Sequence, residues 1–337
     1  MKISGLQNHF DPAFLKCDMK MHIIKARELS GALDYSKLVD ALDIAFRNDY
    51  SIPVRHHHTI SSDRNEDATV LLMPAWNEAY LGVKTAVVVP GNAALGLPSV
   101  NASYQLLDRQ TGAIIALIDG SELTARRTAA ASALASRYLS KVNSSRLLMI
   151  GTGTLAPHLI EAHTSQRGIK EVLVWGRHFE KAQAVAASIN LPGVTVRAVD
   201  NLEVAVGDAD IVSCATLAKT PLIFGKWLRP GQHLDLVGGF TQDMREADDM
   251  AVIRSRIFVD TEETIETAGD IWDPLSREVI QKRDIFGTLF SLSRGEAPSA
   301  RPNGDEITFF KSAGTAVEDL AAAILAYERI PGKSATL

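Results

Sequence analysis

The chain has 337 residues, 46% of them hydrophobic, 22% charged and 6% aromatic, which at about 150 residues per domain suggests two domains, each able to bury a core. Lys+Arg 35 against Asp+Glu 40 leaves a formal charge of −5 with no basic run, arguing against a nucleic-acid partner and for a small one. Cys17 and Cys214 form neither a disulfide framework nor a zinc site, residues 1–20 lack the apolar core of a secretory leader, and no apolar stretch approaches the ~20 residues that cross a bilayer, so a cytoplasmic chain with no membrane association is expected.

The pattern up to residue 119 is mainly that of strands. A helix is expected over 33–47, where Leu33, Leu38, Leu42 and Phe46 fall near one face. Strands are expected over 52–60, 69–74, 81–89 and 100–108, and the turn at Arg109-Gln110-Thr111-Gly112 leads into a hairpin partner over 113–119. A helix then begins at Gly120-Ser121. Its stretch 128–139 is almost all Ala, Ser and Leu, small enough to let neighbours approach closely. From Ser145 short apolar runs alternate with helical stretches, the runs being 147–150, 171–175, 194–198, 211–214, 234–237 and 257–259. Such alternation predicts a parallel sheet covered on both faces. A last strand over 304–311 and a helix over 315–329 close the chain, the helix expected to return to the N-terminal part.

Ile150-Gly151-Thr152-Gly153-Thr154-Leu155-Ala156 ends a strand and opens a helix. It fits the dinucleotide-binding pattern: Gly151 for the tight turn, Gly153 for close approach of backbone to a pyrophosphate, and Ala156 for helix packing. The next strand ends at Trp175-Gly176-Arg177-His178, without the acid that usually accepts from a ribose 2′-hydroxyl. Arg177 suits a 2′-phosphate instead. NADPH is therefore the expected cofactor, with NADH as the alternative.

Lys84 interrupts the apolar run Gly82-Val83-Lys84-Thr85-Ala86-Val87, and Arg127 sits in an alanine-rich helix suited to burial. A buried cation needs an anion. A substrate carboxylate would supply one; a structural ion pair is the alternative for each.

The segment Asp119-Gly120-Ser121-Glu122-Leu123-Thr124-Ala125-Arg126-Arg127-Thr128-Ala129-Ala130 resembles the DGxxLTxxRTAA signature of the ornithine cyclodeaminase/μ-crystallin family. Leu72-Met73-Pro74, Gly82-Val83-Lys84, Gly96-Leu97-Pro98, Val237-Gly238-Gly239, Arg245-Glu246-Ala247-Asp248 and the run from Phe310 to Leu320 are similar and follow the family's order over roughly 22–325. The resemblance implies an α/β fold in which a Rossmann NAD(P)-binding domain, 129–314, is inserted in an α/β dimerisation and substrate domain, 1–128 plus 315–337, and it implies a homodimer. It implies that Arg55, Lys84 and Arg127 hold a substrate carboxylate. Around the cofactor it implies Thr128, Thr152, Thr154, Leu155, Ala215, Thr216, Val237, Gly238 and Ser312 beside Gly151, Gly153 and Arg177.

Members that cyclise ornithine carry Val-Gly-Gly-Asp, whose aspartate activates water, and a glutamate before Leu-Met-Pro that reads the distal ammonium. Here those places hold Phe240 and Leu71. An apolar pocket that includes Leu71, Met73 and Phe240, without an acidic neighbour placed to drive hydrolysis, disfavours ornithine deamination. The reaction expected is hydride transfer to a cyclic ketimine carboxylate, first of all Δ1-pyrroline-2-carboxylate to L-proline, with Lys84 as proton donor. An alanine dehydrogenase-like oxidoreductase and a non-catalytic, NADPH-dependent μ-crystallin-like binder are the alternatives.

Other signals are discounted. Successive side chains of His56-His57-His58 alternate faces in a strand and cannot converge on one metal ion. Cys214 is expected to be a buried, inert thiol. The acidic stretch 260–266 is expected to be a solvated helix start, and Asp200 and Asp208–Asp210 to cap helices and turns.

Overall fold

The computed structural model describes residues 21–62 and 67–329; the expectations for residues 1–20, Cys17 included, lie outside them. Strand β1 (His22–Ile24) leads into α1 (Ala26–Ala32) and α2 (Tyr35–Arg47). The single helix expected over 33–47 thus starts two residues later and is preceded by another. Asp34 causes the break, because its carboxylate accepts from the Lys37 N–H at 3.3 Å and caps α2 afresh.

Five strands follow: β2 (His56–Ile60), β3 (Ala68–Trp76), β4 (Tyr80–Val88), β5 (Val100–Asp108) and β6 (Ile114–Asp119). They form a six-stranded sheet in the order β1-β6-β5-β4-β3-β2, antiparallel except for the β1–β6 pair. The register places Met73 opposite Lys84 and Lys84 opposite Tyr104, so all three point to one face. That face is buried and the other is partly open.

Helix α3 (Gly120–Leu139) is capped by Asp119, which accepts from the Glu122 N–H at 2.9 Å. Its small side chains make it a buried shaft, with fourteen of its residues removed from solvent. At Gly120 a Cβ would lie 2.6 Å from the Ala102 carbonyl carbon, so only glycine lets the helix leave the sheet this close to β5.

From β7 (Arg146–Ile150) strands and helices alternate: α4 (Leu155–Gln166), β8 (Glu171–Trp175), α5 (Phe179–Ser188), β9 (Thr195–Ala198), α6 (Leu202–Asp208), β10 (Ile211–Cys214), β11 (His233–Leu236), α7 (Asp249–Ile253), β12 (Ser255–Val259), α8 (Glu262–Thr267), α9 (Gly269–Ser276), β13 (Ile285–Thr288), α10 (Leu289–Arg294) and β14 (Ile307–Lys311). All eight strands are parallel, in the order β13-β12-β14-β11-β10-β7-β8-β9. The α/β, parallel-sheet class read from the sequence is the one observed. The edge strand β13 is additional: Ile285-Phe286-Gly287-Thr288 is short, holds a glycine and is half-buried throughout, so it carries no period of its own. The chain runs outward from β7 through β8 to β9 and then back to β10 on the other side. That reversal opens a crevice beyond the carboxyl end of β7.

Helix α11 (Ala316–Arg329) packs on α2, α3, β3 and β4, on the buried face of the six-stranded sheet. A fully buried polar chain joins α3 to the parallel sheet. The Ser136 hydroxyl meets His163 Nδ1 at 3.0 Å, His163 Nε2 meets Asp235 Oδ2 at 3.0 Å, and the Ser213 hydroxyl donates to that same oxygen at 2.7 Å.

Two acidic residues correct the sequence reading. Asp210 accepts from the backbone N–H groups of Ser145 and Arg146, at 2.7 and 2.9 Å, and so anchors a strand entry rather than a helix. Asp260 is fully buried, not solvated, and accepts from the N–H groups of Ala313 and Gly314 at 2.8 and 2.7 Å.

Gly120→Ala is expected to cost more than about 2 kcal/mol in urea unfolding, because backbone, not a flexible side chain, fills the space. Gly168→Ala, where nothing lies within 4 Å, is expected to change stability by less than about 1 kcal/mol.

Candidate active site

The first turn of α11 brings two adjacent acids, Glu318 and Asp319, into a helix otherwise built from buried apolar residues. Both are fully buried. Asp319 uses one oxygen for each of two cations: Oδ2 lies 2.7 Å from Lys84 Nζ, and Oδ1 accepts from Arg127 Nε at 2.9 Å. Arg127 Nη1 donates to Glu318 Oε2 at 2.6 Å. The cluster therefore joins β4, α3 and α11. The sequence expectation that no acid adjoins these cations is corrected here, since the chain supplies two of the anions they need.

The same logic that marked Lys84 and Arg127 could have found the acids. Glu318-Asp319 stands in an alanine-rich stretch as unsuited to charge as theirs. The two guanidinium nitrogens Nε and Nη1 are occupied, but Nη2 of Arg127 makes no hydrogen bond among the described residues. One face of the fork remains for an external acceptor.

Charge states follow from this packing. Burial lowers the Lys84 ammonium to about 8, the Arg127 charge adds to the fall, and Asp319 partly offsets both. Burial raises the Glu318 carboxyl to about 7, against the pull of Arg127. For Arg127 burial alone would favour the neutral form, but Asp319 and Glu318 reverse it, and the guanidinium is held above its ordinary value.

Arg55 reaches the same place from the chain ahead of β2. Its Nη2 donates to the Gly314 carbonyl at 2.7 Å, and Nε lies 2.9 Å from Glu263 Oε1. Gly314 has φ 81, and a Cβ there would lie 2.4 Å from Arg127 Nη1. This glycine is required both by its backbone and by the arginine lying against it. Met73 is buried opposite Lys84, and Leu71, two residues back on the same face, is opposite Ala86 and His57. Phe240 follows β11 with 49% of its surface exposed. The histidines 56–58 are all exposed on β2. Cys214 is fully buried, and burial pushes its thiol well above the ordinary range.

The carboxyl ends of the parallel strands meet beside this cluster. Gly151 has φ 119 and approaches the Ala215 carbonyl so closely that a Cβ would lie 2.5 Å from it. Gly153 and Thr154 are exposed, a Cβ on Gly153 would meet nothing within 4 Å, and no side chain caps α4. The amides at that helix start are thus open to an anion. Gly176 touches the Thr152 side chain, and Arg177 is exposed one residue further on.

Fully buried Glu246, not singled out from the sequence, holds two of these loops. It accepts from Thr216 N and Oγ1 at 2.7 and 2.9 Å and from Gly238 N at 2.8 Å. Burial raises its carboxyl, with Lys311 opposing the rise. Lys311 ends β14 with its ammonium 3.5 Å from Asp270 and donating to the Leu236 carbonyl. Ser312 follows, its N–H donating to that carbonyl also. From Ser312 the backbone runs through Ala313 and Gly314 to Arg127, so the cation cluster and the glycine turn share one set of strand ends. Val237, Leu155 and Thr128 are buried or half-buried around those ends. A separate hollow of about 490 Å³, lined by Gln242, Ile265, Trp272 and Leu275 among others, contains none of these residues.

The model of the ornithine cyclodeaminase/mu-crystallin family matches residues 19–334. The chain belongs to this family. A Δ1-pyrroline-2-carboxylate reductase of Colwellia psychrerythraea is 39% identical over 316 residues, 92% of this chain and 99% of the relative. Among solved structures, the Thermococcus litoralis Δ1-pyrroline-2-carboxylate reductase in complex with NADH and L-proline superposes with a TM-score of 0.85 at 33% identity, covering 92% of this chain and 97% of that one. An archaeal alanine dehydrogenase dimer with bound NAD gives 0.84 at 27% identity, covering 92% and 95%.

Asp319→Ala leaves Lys84 without its anion and Arg127 with one, in a site without water to replace it. We expect a loss of about 3–5 kcal/mol in urea unfolding.

Proposed function

We propose that the chain is a nicotinamide-dependent reductase of cyclic ketimine carboxylates, converting Δ1-pyrroline-2-carboxylate to L-proline. The observation that carries the reading is the cluster itself. Two buried cations are fixed by chain carboxylates, one with a free donor face, next to strand ends that offer a glycine turn and an uncapped helix start. The 39% identical Colwellia reductase and the Thermococcus structure with NADH and L-proline support it.

The exposed Gly153 backbone and the open first turn of α4 fit a pyrophosphate. Thr152, Thr154, Ala215, Thr216, Gly238 and Ser312 would surround the rest of the dinucleotide, and exposed Arg177 would meet a 2′-phosphate, favouring NADPH. When bound, the reduced nicotinamide supplies a hydride to the imine carbon.

The chain's own residues do the rest. Arg127 Nη2 and Arg55 hold the substrate carboxylate and fix the imine carbon in place. Lys84, positioned by Asp319, gives a proton from Nζ to the imine nitrogen as the C=N bond becomes CH–NH. Leu71, Met73 and Phe240 present apolar surface to the ring methylenes. Neither position 71 nor position 240 offers a carboxylate for an ammonium tail or a water.

In this reading residues 1–128 with 315–337 form the substrate and dimer half and 129–314 the cofactor half, with α3 shared between them. The partner is a second copy in the cytoplasm. The open face of the six-stranded sheet supports a dimer, since Ile23, Ile60, Val100 and Ile114 are exposed there. No helix among the described residues is long and apolar enough to cross a membrane.

Three expectations follow from this chemistry. Reduced-cofactor oxidation should depend on Δ1-pyrroline-2-carboxylate and be absent, or at least tenfold slower by our estimate, with pyruvate plus ammonia; the reverse ranking would favour an alanine dehydrogenase. Arg127→Lys keeps the charge but loses the fork, and should lower kcat/KM by about a hundredfold with cofactor affinity within about twofold. Because Lys84 must be protonated and loses its proton at about 8, kcat/KM for reduction should be level below that pH and fall tenfold per pH unit above it, while the reverse reaction gains.

A further inference from the structure

Arg55, unlike Lys84 and Arg127, is held by a carboxylate that can leave. Asp319 and Glu318 have no exposure, whereas the Glu263 side chain is 41% exposed. Glu263 presents both oxygens to Arg55: Oε1 lies 2.9 Å from Nε, and Oε2 accepts from Nη2 at 3.2 Å. This is the two-point seating that any carboxylate adopts on a guanidinium. The pair also crosses the molecule, from the chain ahead of β2 to the second residue of α8, which follows β12 of the other sheet. Arg55 keeps a third contact, to the Gly314 carbonyl, which holds the guanidinium at the mouth of the cluster whether or not Glu263 stays.

We infer that Glu263 occupies the substrate-carboxylate position on Arg55 and sets the affinity of the site for acidic substrates, being displaced when one binds. The inference rests on the carboxylate clamp of the proposed function. Binding then exchanges one carboxylate for another at Arg55, so the charge around this arginine does not fall. An acidic substrate gains little net attraction, and its affinity depends little on salt. A neutral carboxamide cannot displace Glu263. Removing the Glu263 charge leaves Arg55 uncompensated, which should strengthen anion binding and make it salt-sensitive. The displaced acid returns to the exposed start of α8, beside Glu262 and Glu266, where water solvates it.

Glu263→Gln tests this in the full-length enzyme. The substitution is nearly isosteric at an exposed position, and its thermal unfolding should match that of the parent. With Δ1-pyrroline-2-carboxylate at low ionic strength, KM should fall about threefold to fivefold. In the same assays kcat and the cofactor KM should stay within about twofold, and the gain should vanish in about 0.5 M NaCl. The dissociation constant of pyrrole-2-carboxylate should fall in parallel. Arg55→Gln, measured alongside, should raise KM at least tenfold by the same reasoning. If Arg55→Gln raises KM but Glu263→Gln leaves it unchanged or raises it, the displacement role of Glu263 is wrong and the clamp stands. If Arg55→Gln leaves KM unchanged, the clamp itself is wrong.

Discussion

A single carboxylate, that of Asp319, decides the arrangement of the candidate site. Its two oxygens are divided between Lys84 on β4 and Arg127 on α3, all without meaningful exposure to water. Taking such groups out of water costs several kcal/mol each, and mutual attraction recovers this only when geometry is good. The geometry is good because three unrelated pieces of chain converge: a central strand, the shaft helix and the returning C-terminal helix. Glu318 adds the second acid that a third charge pair needs. A hydrophobic replacement of the whole cluster would serve stability as well or better, so its retention fits a role in holding charge for chemistry.

Around that centre the fold supplies rigid attachments. The acids of α11 sit in its first turn, where the helix dipole favours negative charge. Gly314 makes room for Arg127 and ends the strand-to-helix passage. On the cofactor side, Glu246, Asp270 and Lys311 perform the matching task, tying Thr216, Gly238 and Gly239 to the end of β14 through hydrogen bonds with no exposure. The two charged clusters are thus linked through the short segment from Lys311 to Gly314. Movement at either end would be felt at the other.

The family signature, the glycine turn and the alternation of elements were all legible in the residues, because each depends on neighbours in sequence. A glycine at Gly151 or an apolar period over 147–150 reports the local backbone directly. Helix α2 was readable too, though α1 was not: Ala26–Ala32 is short, and its boundary depends on Asp34 recapping the chain. The edge strand β13 left no trace because its period is borrowed from β12 beside it. Asp260 misled for a related reason. An acidic run looks solvated unless one knows that the Ala313 and Gly314 amides lie against its first member.

What the amino-acid order determined alone was that Lys84 and Arg127 sit in surroundings hostile to charge and must therefore meet an anion. Hydrophobic neighbours in the chain suffice for that conclusion, since a strand or helix of apolar residues will be buried wherever it packs. Which anion they meet was decided only by the tertiary structure, which folds a helix nearly two hundred residues downstream onto the sheet. Electrostatic partnership depends on distance in space, and no local pattern encodes that Asp319 faces both cations, or that Glu263 of the opposite half closes on Arg55.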